Sequence, residues 1–402
     1  MGERPTILIT GAGIGGLTAA LTVARAGFDV VVCERTAELS EIGAGIQLSP
    51  NAGRVLDSLG LDAAIGDVAI EPEAIDVMSG VNGERIASLP VAAFRKRYGA
   101  PYRVIHRADL QTILAAAVAR ASDIRLLLGT TVEGVLPRGG ESFVKLKGPR
   151  DEVIQAAAVI GADGVWSATR ERIAGAFDPA PVGRTAWRTV IPRDNLPDTV
   201  SANRVGLWLG PDAHLVHYPI ARGAAVNVVA IVDEVWDKPG WNARGDYRRI
   251  AERFNRWPAA VKAIVTAPQG WQKWALTSVD PGGRWAKGNT ALLGDAAHAM
   301  VPFLAQGAAM AIEDAAVLAT CLKASPADIP TALAAYEAER RPRVMRIWNA
   351  ARRTGEHYHM TGHMARLRDA ALGLVGPRLM LMQNDWIYRW QPAGPDATAR
   401  RT

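Results

Sequence analysis

The feature that most constrains this chain is a stretch near its start, which reads TILITGAGIGGLTAALTVARAGFDVVVCER. A short apolar run is followed by clustered glycines, then by apolar residues at helical spacing, and then by a second apolar run. This order is typical of a β-strand, a tight turn, a helix and a second strand that runs parallel to the first. Parallel strands joined by a helix need a sheet with helices packed on it, so the stretch predicts an α/β fold with a Rossmann-like sheet.

Three glycines in this stretch have the spacing of a dinucleotide-binding turn. Gly11 allows the tight turn, Gly13 lets a pyrophosphate approach the backbone, and Gly16 lets the helix pack closely on the strand. Glu34 ends the second strand, where a carboxylate binds ribose hydroxyls, and we assign its neighbour Arg35 to the same site. The motif predicts a dinucleotide site and leaves NAD and FAD both open.

Composition sets the class of protein. The chain has 402 residues, of which 49% are hydrophobic, enough for one large domain or two ordinary ones. No window approaches the roughly 18 consecutive apolar residues of a membrane-spanning helix, and the start of the chain lacks the pattern of a secretory signal. The two cysteines, Cys33 and Cys321, lie in apolar patterns and predict buried thiols. We therefore expect a cytoplasmic protein without a membrane partner.

The net charge is +6, and much of the excess lies in the last quarter of the chain. Aromatic residues are not interleaved with these basic residues in the way that nucleic-acid-binding surfaces require. We expect no nucleic-acid partner and interpret the charge as a solvated helix face that attracts anionic small molecules.

The pattern of apolar and polar residues changes along the chain. Between about 181 and 280 it alternates in the manner of antiparallel strands (VGLWLG, HLVHYPI, AVNVVAIVD), and beyond 307 it is mostly helical. We therefore predict a Rossmann-like nucleotide-binding domain interrupted by a mainly antiparallel β-sheet substrate domain, with a helical C-terminal region. The expected nucleotide-binding segments are 1–70, 101–180 and 276–325, the substrate segments are 71–100 and 181–275, and the helical region is 326–402.

Four further motifs follow the first in order along the chain. They are EIGAGIQLSPNA, RVIHRADL, GADGVWSATR and GDAAHAMVPFLAQGAAMAIEDA. Together they resemble the group A flavoprotein aromatic hydroxylases, which have the para-hydroxybenzoate hydroxylase fold. The resemblance covers most of the chain and is strongest to the salicylate hydroxylases, 3-hydroxybenzoate 6-hydroxylases and 6-hydroxynicotinate 3-monooxygenases of that family.

The resemblance implies FAD as the cofactor, and NADH or NADPH as a transient co-substrate. The family has no separate NAD(P)H domain, which agrees with the lack of a second glycine motif. Asp295 would bind the ribityl chain, Arg107 the diphosphate, and the helix N-terminus after Gln306 the flavin pyrimidine, where it would stabilise negative charge. The family positions assigned to FAD in this sequence are Gly45, Arg107, Val132, Asp163, Asp295, Gly307 and Ala308.

The segment HLVHYPI carries the expected catalytic residues. Side chains alternate along a strand, so His214 and Tyr218 share one face and His217 points to the other. A phenol reacts faster as phenolate, and a histidine suits the removal of its proton at neutral pH. The resemblance makes His214 the catalytic base and Tyr218 a substrate-pocket tyrosine, whereas we expect His217 to be structural.

Other residues are candidates for the substrate pocket. Arg188 and Arg222 are suited to a substrate carboxylate, because arginine binds carboxylates bidentately. The resemblance brings Gln47 close to the flavin ring. Phe303 and Met300 are expected to wall the pocket, and a phenylalanine there favours a more apolar ring than a hydroxypyridine. We expect His298, in the last motif, to position its loop.

The segment EHYHMTGHM is a metal candidate, with His357, His359 and His363. His359 and His363 have the spacing of neighbours on one helix face. The only acid nearby is Glu356, so we favour a polar helix face and predict no metal site.

These observations predict an FAD-dependent monooxygenase. It would use NAD(P)H and O2 to hydroxylate a phenolic aromatic acid, such as salicylate or another hydroxybenzoate, through a flavin C4a-hydroperoxide. The alternatives are a hydroxynicotinate hydroxylase, an FAD-binding redox sensor and a flavin halogenase. Halogenases carry Trp-x-Trp-x-Ile-Pro, whereas this chain has Thr189 at the second Trp position. The ring position attacked stays open, and we expect a monomer or homodimer.

Overall fold

The computed structural model describes residues 4–39, 45–173, 175–200, 203–238, 240–268 and 270–392. The α/β fold class predicted above is confirmed. In chain order the strands are β1 (Thr6–Thr10), β2 (Asp29–Cys33), β3 (Gly45–Leu48), β4 (Ala74–Ser79), β5 (Arg85–Pro90), β6 (Arg103–His106), β7 (Ile124–Leu127), β8 (Thr131–Arg138), β9 (Glu141–Lys147), β10 (Glu152–Ala156), β11 (Ala158–Gly161), β12 (Ala180–Pro192), β13 (Arg204–Gly210), β14 (Ala213–Ile220), β15 (Ala225–Asp233), β16 (Asn242–Gly245), β17 (Trp271–Ser278), β18 (Ala286–Lys287) and β19 (Thr290–Leu292).

Helices connect and cover these strands. They are α1 (Ile14–Arg25), α2 (Pro50–Ser58), α3 (Asp62–Gly66), α4 (Phe94–Tyr98), α5 (Arg107–Arg120), α6 (Tyr247–Arg253), α7 (Ala259–Thr266), α8 (Asp295–His298), α9 (Gly307–Ala324), α10 (Ile329–Tyr358) and α11 (Gly362–Tyr388). Short 3-10 turns lie at Arg170–Arg172, Arg193–Asn195, Ala221–Gly223 and Pro302–Leu304.

The Rossmann-like sheet has the strand order β18-β19-β11-β1-β2-β7. All its neighbours are parallel except the edge pair β18 and β19. Alternate residues of β1 enter different cores: Ile7 and Ile9 face the side of α1 and α9, whereas Leu8 faces the three-stranded sheet of β8, β9 and β10. Cover on both faces explains why these strands read as continuous apolar runs.

The large sheet has the order β16-β17-β12-β15-β14-β13-β4-β5 and is antiparallel except where β13 meets β4. One of its faces packs on α6 and α7 through a core rich in tryptophan and valine. β4 and β5 arrive from a part of the chain that is separate in sequence. The opposite face of β12, β15 and β14 is turned toward the Rossmann-like sheet, and this face forms one wall of the site described below.

A buried ionic cluster ties the C-terminal helices to the sheet. Asp314 on α9 accepts hydrogen bonds from Nε of Arg340 at 2.7 Å and from the backbone N–H of Gly294 at 3.1 Å, and its Oδ2 lies 2.6 Å from Nε2 of His298. Glu313 pairs with Arg340 at 2.8 Å and with Arg343 at 2.7 Å. Buried charges need such partners, so the cluster fixes the loop after β19 against α9 and α10.

Both cysteines are buried, as predicted, and burial raises the pKa of each thiol to about 12. A thiol that stays protonated is a poor nucleophile, which agrees with a packing role. Among the described residues no helix is both long enough and apolar enough to cross a membrane.

Candidate active site

A cavity of about 310 Å³ lies between the two sheets. One wall is formed at the carboxyl ends of the parallel strands, by Gly13 after β1, Ala162 after β11 and Leu293 after β19. The facing wall belongs to the large sheet. Ligands of open α/β sheets bind outside the carboxyl ends of the strands, so the cavity has the expected position of a cofactor and substrate site.

The three glycines of the first turn have different surroundings. Gly11 has φ +98°, and a Cβ there would lie 2.5 Å from the carbonyl oxygen of Ala162. A Cβ on Gly16 would lie 1.9 Å from the carbonyl oxygen of Gly11. At Gly13 a Cβ would meet no atom of the described residues within 4 Å, and this glycine lines the cavity. Two glycines are therefore needed for packing and the third leaves room for a ligand, which fits the diphosphate of a dinucleotide.

Glu34 braces this turn. Its carboxylate accepts hydrogen bonds from the backbone N–H of Ala12 at 2.9 Å and from that of Thr36 at 2.9 Å. Arg35 is exposed beside it. The binding of a ribose by Glu34 and Arg35 stays a prediction. The structure shows in addition that Glu34 holds the backbone of the glycine turn.

The N-terminus of α9 opens on the cavity. Gly307 and Ala308 line it, and within the described part of the chain Gln306 makes no side-chain hydrogen bond that caps the helix. The first amides of a helix lack acceptors within it, and together with the helix dipole they attract anionic groups. Asp295 also lines the cavity and is exposed there. This is the arrangement expected for the last motif.

Arg107, the first residue of α5, lines the same cavity, and its contact with the FAD diphosphate stays a prediction. Asp163 does not, although Ala162 and Gly164 on either side of it do. Its carboxylate instead accepts hydrogen bonds from Oγ of Ser167 at 2.5 Å and from the backbone N–H of Thr169 at 3.0 Å. Asp163 therefore folds the loop whose backbone borders the cavity.

Val132 was predicted to contact the cofactor, and this role stays a prediction. Strand alternation turns its side chain onto the parallel sheet, where it packs against the cluster that contains Leu8, Val144 and Leu146. It is not among the described residues that line the cavity.

Strand alternation determines which side chains of the large sheet face the cavity. On β14, His214, Val216 and Tyr218 line the cavity. Register pairs Val216 with Val229 on β15, and Val229 in turn with Arg188 on β12. These side chains share one face of the sheet, because residues directly opposite one another project to the same side. His217 projects to the other side and packs on Gly206, as the alternation predicted.

His214 is buried, with 2% of its surface exposed. Its Nδ1 lies 2.8 Å from Nε2 of His359, and the rings of Phe303 and Tyr358 lie 5.2 Å from its own. Burial lowers the pKa of His214 well below its usual value, and the neighbouring His359 and Arg184 lower it further. The imidazole is therefore neutral at physiological pH, and one of its ring nitrogens is a hydrogen-bond acceptor.

Arg188 brings a positive charge to the same wall. Its guanidinium lies 5.3 Å from the ring centre of Trp274, and its buried Nε has no hydrogen-bond partner among the residues that the structure describes. Burial lowers the pKa of Arg188, and the charge of Arg107 lowers it further. A desolvated guanidinium with a free donor is suited to an anionic ligand.

Gln47 and Tyr218 complete this region. Gln47 lines the cavity and accepts a hydrogen bond from the hydroxyl of Tyr102. Burial raises the pKa of Tyr218, while Arg188 and Gln47 act in the opposite direction. A Cβ on Gly45 would lie 2.5 Å from the Tyr218 ring, so the Gly45 backbone packs directly on the tyrosine.

Comparison with known proteins agrees with this geometry. Residues 4–351 match the family described as FAD binding domain. The chain belongs to this FAD-binding family. It is 36% identical over 95% of its length to 3-hydroxybenzoate 6-hydroxylase 1 of Aquipseudomonas alcaligenes, covering 97% of that protein. It is 37% identical over 97% of its length to 3-amino-4-hydroxybenzoate 2-monooxygenase PtnB3 of Streptomyces platensis, covering 97% of that protein.

A solved structure shares the fold. The chain superposes on a salicylate hydroxylase substrate complex with a TM-score of 0.81 at 24% identity, over 96% of each chain. The predicted family and enzyme class, an FAD-dependent aromatic hydroxylase that uses NAD(P)H, are confirmed. FAD is the cofactor, and the open space at Gly13 and the amides at the start of α9 fit it.

Phe303 differs from its predicted position. It is not one of the described residues that line the cavity, whereas Met300 and Pro302 are. The short turn at Pro302–Leu304 directs the Phe303 ring behind His214, where the guanidinium carbon of Arg184 lies 5.3 Å from the ring centre. The ring therefore packs on His214 and carries no argument about the polarity of the substrate.

Two further predictions are resolved by contacts. Arg222 is exposed and donates from Nε to the carbonyl oxygen of Asp67 at 2.8 Å, so it does not reach the cavity. His298 is buried, its Nε2 lies 2.6 Å from Asp314, and its ring packs on Trp285. It holds its loop in position, as expected.

His359 is a neighbour of His214 that the sequence did not reveal. We expected a polar helix face with His359 and His363 on one helix, but α10 ends at Tyr358 and α11 begins at Gly362. His359 lies in the break between them, with 7% of its surface exposed, in contact with His214. Within the described ranges no group of ligands is arranged to hold a metal ion. No spacing in the sequence connects two histidines so far apart.

Proposed function

We propose that this enzyme hydroxylates a hydroxybenzoate, with the phenol at His214 and the carboxylate at Arg188. The observation that carries the proposal is the presence of a neutral buried histidine and a desolvated arginine on one wall of the cavity. The first ionises a phenol, and the second binds a carboxylate. Both named relatives act on benzoates that bear a hydroxyl group.

The spacing of the two groups suits one aromatic ring. Arg188 and His214 lie on strands that are separated by β15. Neighbouring strands lie roughly 4.8 Å apart, so the two backbones are roughly 10 Å apart across the sheet. Both side chains project into the cavity, and Val216, Val229 and Ile231 supply an apolar floor between them.

Each residue has a distinct task in this proposal. FAD, when bound and reduced by NAD(P)H, supplies the oxygen-activating chemistry. Nε2 of His214 takes the phenol proton, because Nδ1 is engaged with His359. Arg188 holds the carboxylate and so orients the ring. The apolar floor excludes water from the reacting carbon, and we assign Tyr218 and Gln47 to contacts at the edge of the ring.

Trp187 gives no support to a halogenase. It lies in the core on the far side of the large sheet, and its Nε1 donates to Glu234 at 3.1 Å. The tryptophan of the motif that is related to halogenases therefore does not face the cavity. We further propose a cytoplasmic enzyme that works as a monomer or homodimer.

The test is NAD(P)H oxidation by the holoenzyme with a panel of ring compounds, followed by product identification. We expect hydroxybenzoates to stimulate oxidation and to give a dihydroxylated product. Benzoate lacks the hydroxyl, so we expect it to bind without being hydroxylated, and phenol lacks the carboxylate, so we expect it to bind weakly. Hydroxynicotinates test the alternative ring. Turnover of phenol and 3-hydroxybenzoate with equal kcat/KM would contradict the proposal.

A further inference from the structure

His214 is the first member of a hydrogen-bonded path that leaves the cavity. Its Nδ1 lies 2.8 Å from Nε2 of His359, and Nδ1 of His359 lies 2.9 Å from Oδ1 of Asp233. His359 is buried, whereas the side chain of Asp233 is 40% exposed. The three groups therefore connect a buried wall of the cavity to the surface.

The carboxylate sets the direction of this path. An ionised Asp233 only accepts hydrogen bonds, so His359 donates to it from Nδ1 and keeps Nε2 as an acceptor. His214 then donates from Nδ1 to His359, and its own Nε2 is left as an acceptor toward the cavity. The tautomer that a base requires is thus fixed by residues outside the cavity.

We propose that His359 and Asp233 are positioning residues that extend the base His214 into a proton relay to the solvent. This inference rests on the proposed hydroxylation of a phenol. The phenol O–H bond breaks as its proton moves to Nε2 of His214. The Nδ1 proton of His214 moves to Nε2 of His359, and the Nδ1 proton of His359 leaves through Asp233 to water. When the attacked carbon loses its hydrogen as a proton, the reverse transfer reprotonates the phenol oxygen and restores both tautomers.

The charges around the path favour this direction. Burial lowers the pKa of both histidines, and so does Arg184, whose Nε lies 2.7 Å from Asp233. Asp233 and the nearby Asp212 raise the pKa of His359, whereas His214 faces His359, Arg184 and the ring of Tyr358. A positive charge is therefore better stabilised on His359 than on His214, and the relay carries it outward.

A purely structural pair would behave differently. It would fix the end of α10 to the large sheet, and any side chain of similar shape in place of His359 or Asp233 would maintain that contact. The bond to Asp233 would set the same tautomers in such a pair, but only a relay makes the ionisation of the ligand depend on Asp233.

The first test needs no substrate. In the holoenzyme labelled with 15N-histidine, NMR reports which ring nitrogen carries the proton. We expect the Nδ1–H tautomer at both His214 and His359 near neutral pH. A proton on Nε2 of His214 would overturn the relay, whatever the substrate proves to be.

The second test follows the ionisation of 3-hydroxybenzoate in the holoenzyme, by phenolate absorbance and by proton release to a pH indicator. We expect His359→Gln and Asp233→Asn to slow ionisation by roughly 10- to 100-fold, less than the loss of the base itself. The difference should vanish as the pH approaches the phenol pKa near 10. Asp212→Asn is the matched control, because it removes a neighbouring charge that is outside the path.

The outcomes separate the two proposals. Unchanged ionisation rates in folded His359→Gln and Asp233→Asn overturn the relay and leave the proposed function intact. If no hydroxybenzoate binds, the proposed function fails, and the tautomers still decide whether the path exists. Asp233 is exposed and its replacement by Asn keeps its shape, so this variant tests the relay even if His359→Gln does not fold.

Discussion

The two walls of the cavity are built in different ways. The cofactor wall is made largely of backbone: Gly13 leaves open space, and Gly307 and Ala308 present the start of a helix. The wall of the large sheet is made of side chains, chiefly Arg188 and His214. Backbone groups recognise what all FAD enzymes share, whereas side chains select a substrate. Substitutions should therefore damage the first wall by adding atoms and the second by removing them.

The largest expected effect is at Gly16. Gly16→Ala puts a Cβ 1.9 Å from the carbonyl oxygen of Gly11, and this contact is with backbone, not with the end of a flexible side chain. We expect destabilisation by more than about 3 kcal/mol, at or above the upper end for overpacking, together with loss of FAD. Thermal unfolding and the flavin absorbance of the purified protein measure both effects.

Gly13→Ala is the matched control for this prediction. Its Cβ would meet no atom of the described residues within 4 Å, so the apoprotein should unfold at an unchanged temperature. FAD should bind at least about tenfold more weakly, because the added methyl group occupies the cofactor's space. Equal affinity for FAD in Gly13→Ala and the unaltered protein would contradict a backbone-built wall.

The next effect tests the opposite wall. His214→Asn should leave FAD binding intact and lower hydroxylation by roughly 10²- to 10⁴-fold, the usual contribution of a general base. The loss should shrink at high pH, where the phenol ionises unaided. Product formed per NAD(P)H consumed, measured across pH, checks this. The control is His217→Asn on the other face of β14; an equal loss there would mean that the strand faces are assigned wrongly.

A third prediction concerns the support under the cofactor wall. Burial alone would raise the pKa of Asp314, but His298 and Arg340 hold it below its ordinary value. A carboxyl with a lowered pKa stabilises the fold above its unfolded pKa of about 3.9 and loses that contribution as the pH falls through the folded value. Asp314→Asn should therefore cost roughly 3–5 kcal/mol near neutral pH and less in acid.

Urea unfolding at neutral and acidic pH measures this difference. The control is Asp295→Asn, which changes an exposed residue of the same loop. It should alter stability by less than about 0.5 kcal/mol while FAD retention falls. A penalty for Asp314→Asn that grows in acid would contradict the pKa assignment.

The smallest effect is expected at Arg188. Arg188→Gln removes a charge-assisted hydrogen bond to the carboxylate, which is worth about 1.5–3 kcal/mol, so kcat/KM for a hydroxybenzoate should fall roughly 10- to 150-fold. Phenol, which has no carboxylate, should lose little. Arg222→Gln is the control, because Arg222 is exposed and bonds to a backbone carbonyl. An equal loss of kcat/KM for the hydroxybenzoate and for phenol would show that Arg188 does not bind the carboxylate.

The same contrast explains what the sequence could predict. The glycine turn, Glu34 and the loop around Asp295 are short motifs whose residues are close in the chain, so their arrangement is set locally. Strand alternation was enough to place His214 and Tyr218 on the cavity face. These features need no knowledge of how distant segments meet.

Predictions that depended on distant packing were less accurate. The partnership of His214 with His359 arises because the break between α10 and α11 meets the large sheet, and no local pattern encodes that contact. Phe303 was placed in the correct neighbourhood, but the turn that directs its ring is not visible in the residue types. Arg188 was identified by charge, and only the register of β12 with β15 shows that it faces the cavity.

The order of the Rossmann-like sheet also matters while the chain is being made. Strand β11 ends at Gly161, but its outer neighbour β19 begins at Thr290. A ribosome that adds roughly 5–20 residues per second needs roughly 6 to 26 seconds to synthesise the segment between them. During that interval one edge of β11 lacks its β19 partner, and the loop that carries Asp295 does not yet exist. Nascent chains therefore pass through a stage in which a hydrophobic strand edge is open to chaperones or to aggregation. The FAD site is complete only after about three-quarters of the protein has been translated.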